Sequence, residues 1–407
     1  MRILFVFDSV EAPAAANPRL GRRLAEALSA LGHEVELLEL WDGTHAPPAV
    51  TGCVTHDLPF ADEAAMNRAL ENGAAGGTPV PLRLLRLAAH PAAVGAAVRQ
   101  FALHAPRRVT AARKAMEALH RQRPYDAVCA VAAPYRAAFA LEGAALPGAR
   151  KLLWQMDPYA ANESYHAPGG YDRERALLQA LDHTYITAQA APDYAPGGPL
   201  EPCAGRVSEL GFPSLVPLPR EAPDPTLCAF CGTLYPGLRT PDALLKLFPR
   251  LDSRLTLVMA GGGWEAFGPQ RAQAQAALGD RLKILGPVPH QQAAALERRA
   301  GVLISIGNTA SNQLPSKLFE VFAAGKPVLH LAAGPRDAAL PYLARWPLAF
   351  VWREAADTPA LGRWLAENAG RTLPFETAEA CFPEYTPACV ARQFLQHAAP
   401  AAKGESL

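Results

Sequence analysis

Residues 312–329 read NQLPSKLFEVFAAGKPVL. Pro315 suits the first turn of a helix, where its missing N–H costs nothing. Leu318, Val321 and Phe322 recur at helical spacing and predict a buried face. Gly325 fits the position just past the helix end, and Pro327 prevents continuation into Val328–Leu329, the start of an apolar strand. The start of such a helix offers unpaired N–H groups and a partial positive charge, which suits phosphate. Glu320 lies about one turn further in, where a carboxylate can accept two hydrogen bonds from a vicinal diol. Phosphate at the tip and a diol beside a carboxylate together predict a nucleoside diphosphate with its ribose.

Upstream, the pattern alternates between strands and helices. LCAFCGTLYP (227–236) is strand and turn, PDALLKLFPRL (241–251) a helix, RLTLVMAGGG (254–263) strand and glycine turn, LKILGPVP (282–289) strand and turn, HQQAAALERRA (290–300) a helix and GVLISIG (301–307) a strand. Strands that are continuous apolar runs predict a parallel sheet covered on both faces. The first half repeats the theme. ILFVF (3–7) is a strand, Leu20, Leu24, Leu28 and Leu31 mark a helix ended by Gly32, and His33–Leu38 is the second strand of a βαβ unit. Tyr125–Val131 and LLWQMDP (152–158) are further strands, and Ala180–Ala188 is a helix end running into another. Residues 42–80 read as an extended loop or insertion, and 190–225, rich in proline and glycine, as the interdomain region.

The segment PSKLFEVFAAGKPV (315–328) resembles the nucleotide-sugar glycosyltransferases of the GT-B fold, in particular the large retaining family four. Many of its members carry PSK-x-x-E-x-x-A-x-G-x-P-V. The resemblance implies an α/β chain of GT-B type, with two Rossmann-like domains facing a cleft and a C-terminal helix crossing back to the first. The expected division is an acceptor domain at 1–200, a donor domain at 201–385, and a crossover helix and tail at 386–407, with closure about the linker completing the site. It implies sugar transfer from a nucleotide diphosphate sugar, UDP-sugar favoured, to a saccharide or lipid-linked acceptor. Retention and a role in cell-surface polysaccharide or glycoconjugate synthesis follow from the same likeness. The nucleotide sugar is a substrate; no cofactor and no metal are expected.

Residue by residue, the resemblance gives Glu320 the donor ribose and the helix start the diphosphate. There Lys317 reaches a phosphate or covers apolar surface with its stem, and Ser316 donates to phosphate or caps the helix; Gln313 and Leu314, beside them, complete the expected donor site. Gly232 and Thr233 follow a buried strand, and a glycine there lets a ligand approach the backbone closely. Arg239 matches the family's diphosphate cation and suits a fork of hydrogen bonds, or is a surface arginine; Lys246, inside a helix, reads as solvated. Gly286 and Val288 match the segment whose backbone reads the base. The family often shows a first Glu separated from the second by seven intervening residues, but that position is Asn312 here, which binds hydroxyls and cannot act as nucleophile or base. Front-face displacement, with the diphosphate taking the proton, is the expected route, with Arg239 and Lys317 countering its charge. The polar loop 307–313 supplies Asn308 and Ser311 as further sugar contacts, or forms a turn. In the first half, APYRAAFA (133–140) lacks the histidine that family members often present near the acceptor, and Asp157 is the acceptor-side carboxylate. Its Asp-Pro dipeptide also fits a simple turn.

Composition bounds the rest. The 407 residues carry a net charge of +1, which gives no argument for nucleic acid. Seven scattered cysteines argue against a disulfide framework and fit a reducing cytoplasm. Cys228 and Cys231, three apart on a strand, point to opposite faces and read as buried thiols rather than a zinc pair. The N-terminus reads as a strand rather than a signal peptide. Residues 81–123 carry nine Arg and Lys against a single Glu117, which reads either as a solvated helical surface or as attachment to the anionic inner face of the plasma membrane. Two rival readings remain: a nucleotide-sugar epimerase or hydrolase of the same architecture, and a non-catalytic protein that binds nucleotide sugar or a partner.

Overall fold

The computed structural model describes residues 1–9, 16–41, 43, 47–60, 105–162, 167, 169–315, 317–354 and 357–399. The chain forms two compact units, Met1–Pro213 with Pro387–Leu407, and Ser214–Thr386. Each is a parallel sheet covered by helices.

Strands of the first unit are β1 (Arg2–Asp8), β2 (Glu34–Trp41), β3 (Cys53–Pro59), β4 (Ala127–Ala132), β5 (Arg150–Gln155), β6 (His183–Ile186) and β7 (Val207–Glu209). Its helices are α1 (Ala16–Ala30), α2 (Ala105–Gln122), α3 (Arg136–Glu142), α4 (Gly170–Gln179) and the short α5 (Ala191–Tyr194). The sheet runs β3-β2-β1-β4-β5-β6-β7, every pair parallel. The chain therefore winds outward in one direction from β1 and in the other from β4, and the order reverses between them. In doubly wound sheets, ligands bind at such a reversal, beyond the carboxyl ends of the strands.

The second unit contains β8 (Asp224–Cys231), α6 (Asp242–Leu247), β9 (Thr256–Ala260), α7 (Gly268–Leu278), β10 (Leu282–Gly286), α8 (His290–Arg299), β11 (Ala300–Ile306), α9 (Lys317–Ala323), β12 (Val328–Leu331), α10 (Leu340–Leu343), β13 (Ala349–Trp352), α11 (Thr358–Asn368) and α12 (Phe375–Cys381). Its sheet order is β10-β9-β8-β11-β12-β13, again parallel throughout. Here the reversal falls between β8 and β11. One face of this sheet carries Cys228, Phe230, Met259, Ile304, Ile306 and Leu331 into a single apolar core.

The last helix, α13 (Pro387–Ala398), crosses back to the first unit. Its Phe394 ring lies 5.4 Å from Phe5 and 5.0 Å from Tyr185, and the Tyr185 hydroxyl donates to the Phe394 carbonyl. Two parallel Rossmann-like units with this crossover are the GT-B architecture expected from the sequence.

Two regions differ from the sequence reading. Residues 53–59, expected in a loop, form β3, which pairs in parallel with β2. As an edge strand it is half-exposed at four residues and exposed at the other three, so it lacks the continuous apolar run that marks the central strands. Within 190–225 the chain forms α5, a 3-10 turn at Glu201–Arg206 and β7, which joins the first sheet. Of the basic stretch 81–123, residues 81–104 lie outside the described residues. In the remainder, Arg108 is 1 % exposed and lies over the Phe60 ring at 5.8 Å. Arg113 reaches the Ala140 carbonyl at 3.4 Å, and Arg123 pairs with Glu34. Those cations serve the fold of the first unit.

Candidate functional site

The helix read from residues 312–329 forms as α9. Leu318, Phe319, Val321, Phe322 and Ala323 are buried. Its inner face is locked by stacking of Phe319 on Tyr385, centroids 3.5 Å apart, and of Phe322 on Phe382 at 4.6 Å. Gly325 takes φ +70°, and a Cβ there would stand 2.2 Å from the Leu373 carbonyl, so the position demands glycine. The lysine that follows is structural: Lys326 is 3 % exposed and donates to the carbonyls of Arg298 and Ala300 at the end of α8. Burial pushes its pKa down to about 8.

A pocket opens at the reversal between β8 and β11. It is lined by Cys231, Gly232, Arg239, Glu297, Ser305, Pro315, Lys317 and Leu318, among others. The structure therefore brings Gly232, Arg239 and Lys317 together from segments far apart in sequence. Lys317 Nζ forms an ion pair with Glu297 Oε1 on α8 at 2.8 Å, which holds the ammonium at the pocket wall. Arg239 Nε donates to Asn308 Oδ1 at 3.0 Å, and its Nη1 donates to the Thr233 carbonyl at 3.3 Å. Burial lowers the guanidinium's pKa, partly offset by the Tyr235 hydroxyl and the Asp337 carboxylate; arginine stays charged under such shifts. The guanidinium is thus aimed by two acceptors, with its Nη2 edge uncommitted among the described residues.

Asn308, buried at 5 % exposure, has both ends of its amide engaged. Its Oδ1 holds Arg239 and its Nδ2 donates to the Gln313 carbonyl at 3.1 Å. Thr309 adds a hydroxyl bond to the Gly237 carbonyl at 2.7 Å. The loop 307–313 is thereby tied to the turn that carries Arg239. Asn312 and Gln313 are half-buried on this loop and Leu314 is buried. Glu320 is half-buried on α9; Ser316 lies outside the described residues.

Glycines clear the carboxyl ends of β8, β9 and β10. The Gly232 amide donates to the Ala260 carbonyl, and the Gly261 amide to Gly286, at 2.9 and 2.8 Å. Gly261 has φ +136° and a Cβ there would fall 1.8 Å from the Gly232 carbonyl oxygen; only glycine lets these two turns touch. Gly286 also takes positive φ, and Val288 beyond it is half-buried. Beside this ridge Tyr235 is 47 % exposed and Leu285 44 %, an aromatic and an aliphatic surface that sequence reading did not single out. Lys246 is exposed on α6, as the solvated reading expects. Cys228 and Cys231 are both buried free thiols; Cys228 joins the core while Cys231 faces the Ala293 carbonyl on α8.

In the first unit, Asp157 follows β5. Its carboxylate accepts from Asn17 Nδ2 at 2.9 Å, and its backbone carbonyl accepts from the Tyr135 hydroxyl at 2.6 Å. Burial pushes the carboxyl pKa up against the pull of the Asn17 hydrogen bond. Behind it Gln155 links Tyr135, Tyr194 and the buried Glu174. At the sheet reversal Arg136 donates to Asp8, on the segment where the expected histidine is missing.

No protein-family model matches the chain, and no curated protein matches its sequence. Solved structures do match over nearly its whole length. Anabaena HepE, in complex with UDP and glucose, is 13 % identical over 97 % of this chain and 98 % of its own, with a TM-score of 0.61. The catalytic domain of starch synthase IV from Arabidopsis thaliana, bound to ADP and acarbose, is 10 % identical over 98 % of each chain, at 0.60. The apo lipopolysaccharide outer core galactosyltransferase WaaB is 12 % identical over 98 % of this chain and 99 % of its own, at 0.55. The chain thus shares the GT-B fold of these glycosyltransferases.

Proposed function

We propose that the protein transfers a sugar from a nucleotide diphosphate sugar to a saccharide or lipid-linked acceptor. The observation that carries this reading is the convergence of Arg239, Lys317 and Gly232 on one pocket at the strand-order reversal of the second sheet. Two fixed cations above a glycine-cleared strand end suit a diphosphate, and they counter the charge that develops as it leaves. Glu320 on α9 takes the ribose hydroxyls, and the backbone at Gly286 and Val288 reads the base, with uracil favoured. UDP, UDP-glucose or ADP in the complexes of structural neighbours supports the same donor class.

Asn312 offers no carboxylate to the sugar, so the reading assigns no covalent intermediate. Transfer with retention then proceeds on the face the diphosphate leaves, its oxygen taking the acceptor's proton. Asp157 is the acceptor-side carboxylate of this reading, where it orients the acceptor hydroxyl whose proton the diphosphate takes; burial pushes its pKa up. A place in cell-surface glycoconjugate synthesis at the cytoplasmic membrane face belongs to the same proposal. Among the described residues, no helix is long and apolar enough to cross a membrane.

A thermal-shift panel of UDP-, GDP- and ADP-sugars tests the donor class, because a ligand of the native state raises its stability by mass action. Stabilisation by one base series is expected; no shift with any of them contradicts the reading. Release of nucleoside diphosphate that requires an acceptor marks a transferase. Acceptor-free conversion marks an epimerase or hydrolase, and binding without turnover marks a non-catalytic binder.

A further inference from the structure

Strands β11 and β12 are apolar except at one matched pair, Ser305 and His330, which face each other in the ladder. His330 Nδ1 lies 3.0 Å from Ser305 Oγ, and His330 Nε2 lies 2.9 Å from Asp337 Oδ2. The ring is 0 % exposed. The carboxylate behind it is fixed in turn: Oδ2 accepts the Ala333 amide and Oδ1 the Ala339 amide, each at 3.0 Å. Gly307 makes room for it, since a Cβ there would stand 1.7 Å from Asp337 Oδ2. Burial opposes charge on Asp337, but the hydrogen bond from His330, the ring's field and the two amides outweigh it and hold the carboxyl below its usual range.

A carboxylate only accepts hydrogen bonds, so His330 Nε2 carries the ring's proton. At a pH where the ring is neutral, Nδ1 is a lone pair, and the Ser305 hydroxyl is the donor that fills it. With its proton committed inward, Ser305 turns only lone pairs toward the pocket that it lines together with Arg239 and Lys317.

We propose that Ser305 is a specificity residue of this pocket: oriented by Asp337 through His330, its oxygen accepts a hydrogen bond from a hydroxyl of the bound nucleotide sugar and rejects a group there that cannot donate. The inference rests on the donor reading given above. A site built to pair with a hydroxyl discriminates strongly against analogues without it, because its own buried group is left unpaired.

The test is calorimetric titration at about pH 8, where an ordinary imidazole is neutral. The probes are the tightest binder among UDP-, GDP- and ADP-glucose and its monodeoxy and monofluoro analogues at each ribose and hexose position. Fluorine accepts but cannot donate. At one position the fluoro analogue should bind the native protein at least about tenfold more weakly than the parent, and this penalty should shrink to about twofold or less in Ser305→Ala. His330→Phe frees the Ser305 hydroxyl to turn and donate, so it should shrink the penalty at that same position. A merely structural role would weaken parent and analogue alike. Equal fluoro penalties at every position in native protein and Ser305→Ala overturn the inference. Arg239-dependent binding that is blind to Ser305 contradicts this inference alone; failure of all three nucleotide sugars to bind contradicts the donor reading with it.

Discussion

At the scale of single residues, the candidate site is built from groups that hold one another in place. Arg239 is aimed by Asn308 and the Thr233 carbonyl, and Lys317 is tethered by Glu297. Glu320→Ala should weaken donor binding by roughly 1–3 kcal/mol, the range for hydrogen bonds to a charged group. Unchanged donor affinity in a folded variant would remove the ribose assignment. Asn308→Ala should leave Glu320 intact but release Arg239, raising the donor KM about tenfold; equal KM values would show that the guanidinium aims itself. Gly307→Ala places a methyl against the Asp337 carboxylate and should cost about 1–3 kcal/mol in urea unfolding, as overpacking does. A midpoint equal to the native one would mean that this contact gives way freely.

At the scale of elements, the segments that could be read were those whose local pattern and tertiary role agree. Strand β1 and helix α9 announce themselves by apolar runs, helical spacing and a proline–glycine frame, and both form where expected. Strand β3 did not announce itself, because an edge strand buries too little to need an apolar run. The Ser305–His330–Asp337 set was illegible for a different reason. Its members are 25 and 7 residues apart, and only the parallel register of β11 on β12 places them together. The visible sign was a polar residue interrupting each of two apolar strands. Arg239 carries a sequence signal in its likeness to a family position, whereas Asn308, which holds it, reads from sequence as a sugar contact or a turn residue.

The seam of α13 yields a pH prediction at the same scale. His183 is 5 % exposed, and its ring stacks on His397 of α13 with centroids 3.9 Å apart. Burial, with the nearby His397 and Arg150, lowers the His183 pKa from 6.5 to about 4. The unfolded chain therefore binds a proton where the folded chain does not, and stability falls as the pH drops from 6.5 toward 4. The loss should approach roughly 3 kcal/mol at the low end. Hydrogen exchange in α13 should accelerate over this window, and His183→Phe should flatten the dependence. The same acid slope in that variant would place the labile group elsewhere.

At the scale of the whole molecule, two doubly wound units each present a strand-order reversal, and the cations of the donor reading gather at the second. The basic stretch contributes less surface charge than its composition suggests, since Arg108 and Arg113 are spent inside the first unit. Sedimentation with vesicles of rising phosphatidylglycerol content should still show graded binding if the stretch docks on membranes; binding no greater than to neutral lipid would end that part of the proposal. The central claim is that Arg239 and its pocket hold a nucleoside diphosphate. Calorimetric titration of UDP, GDP and ADP into native protein and Arg239→Ala tests it most directly. At least one nucleotide should bind the native protein and lose about 10- to 100-fold in affinity in the variant; no binding by any of the three, or equal affinity for both proteins, would contradict it.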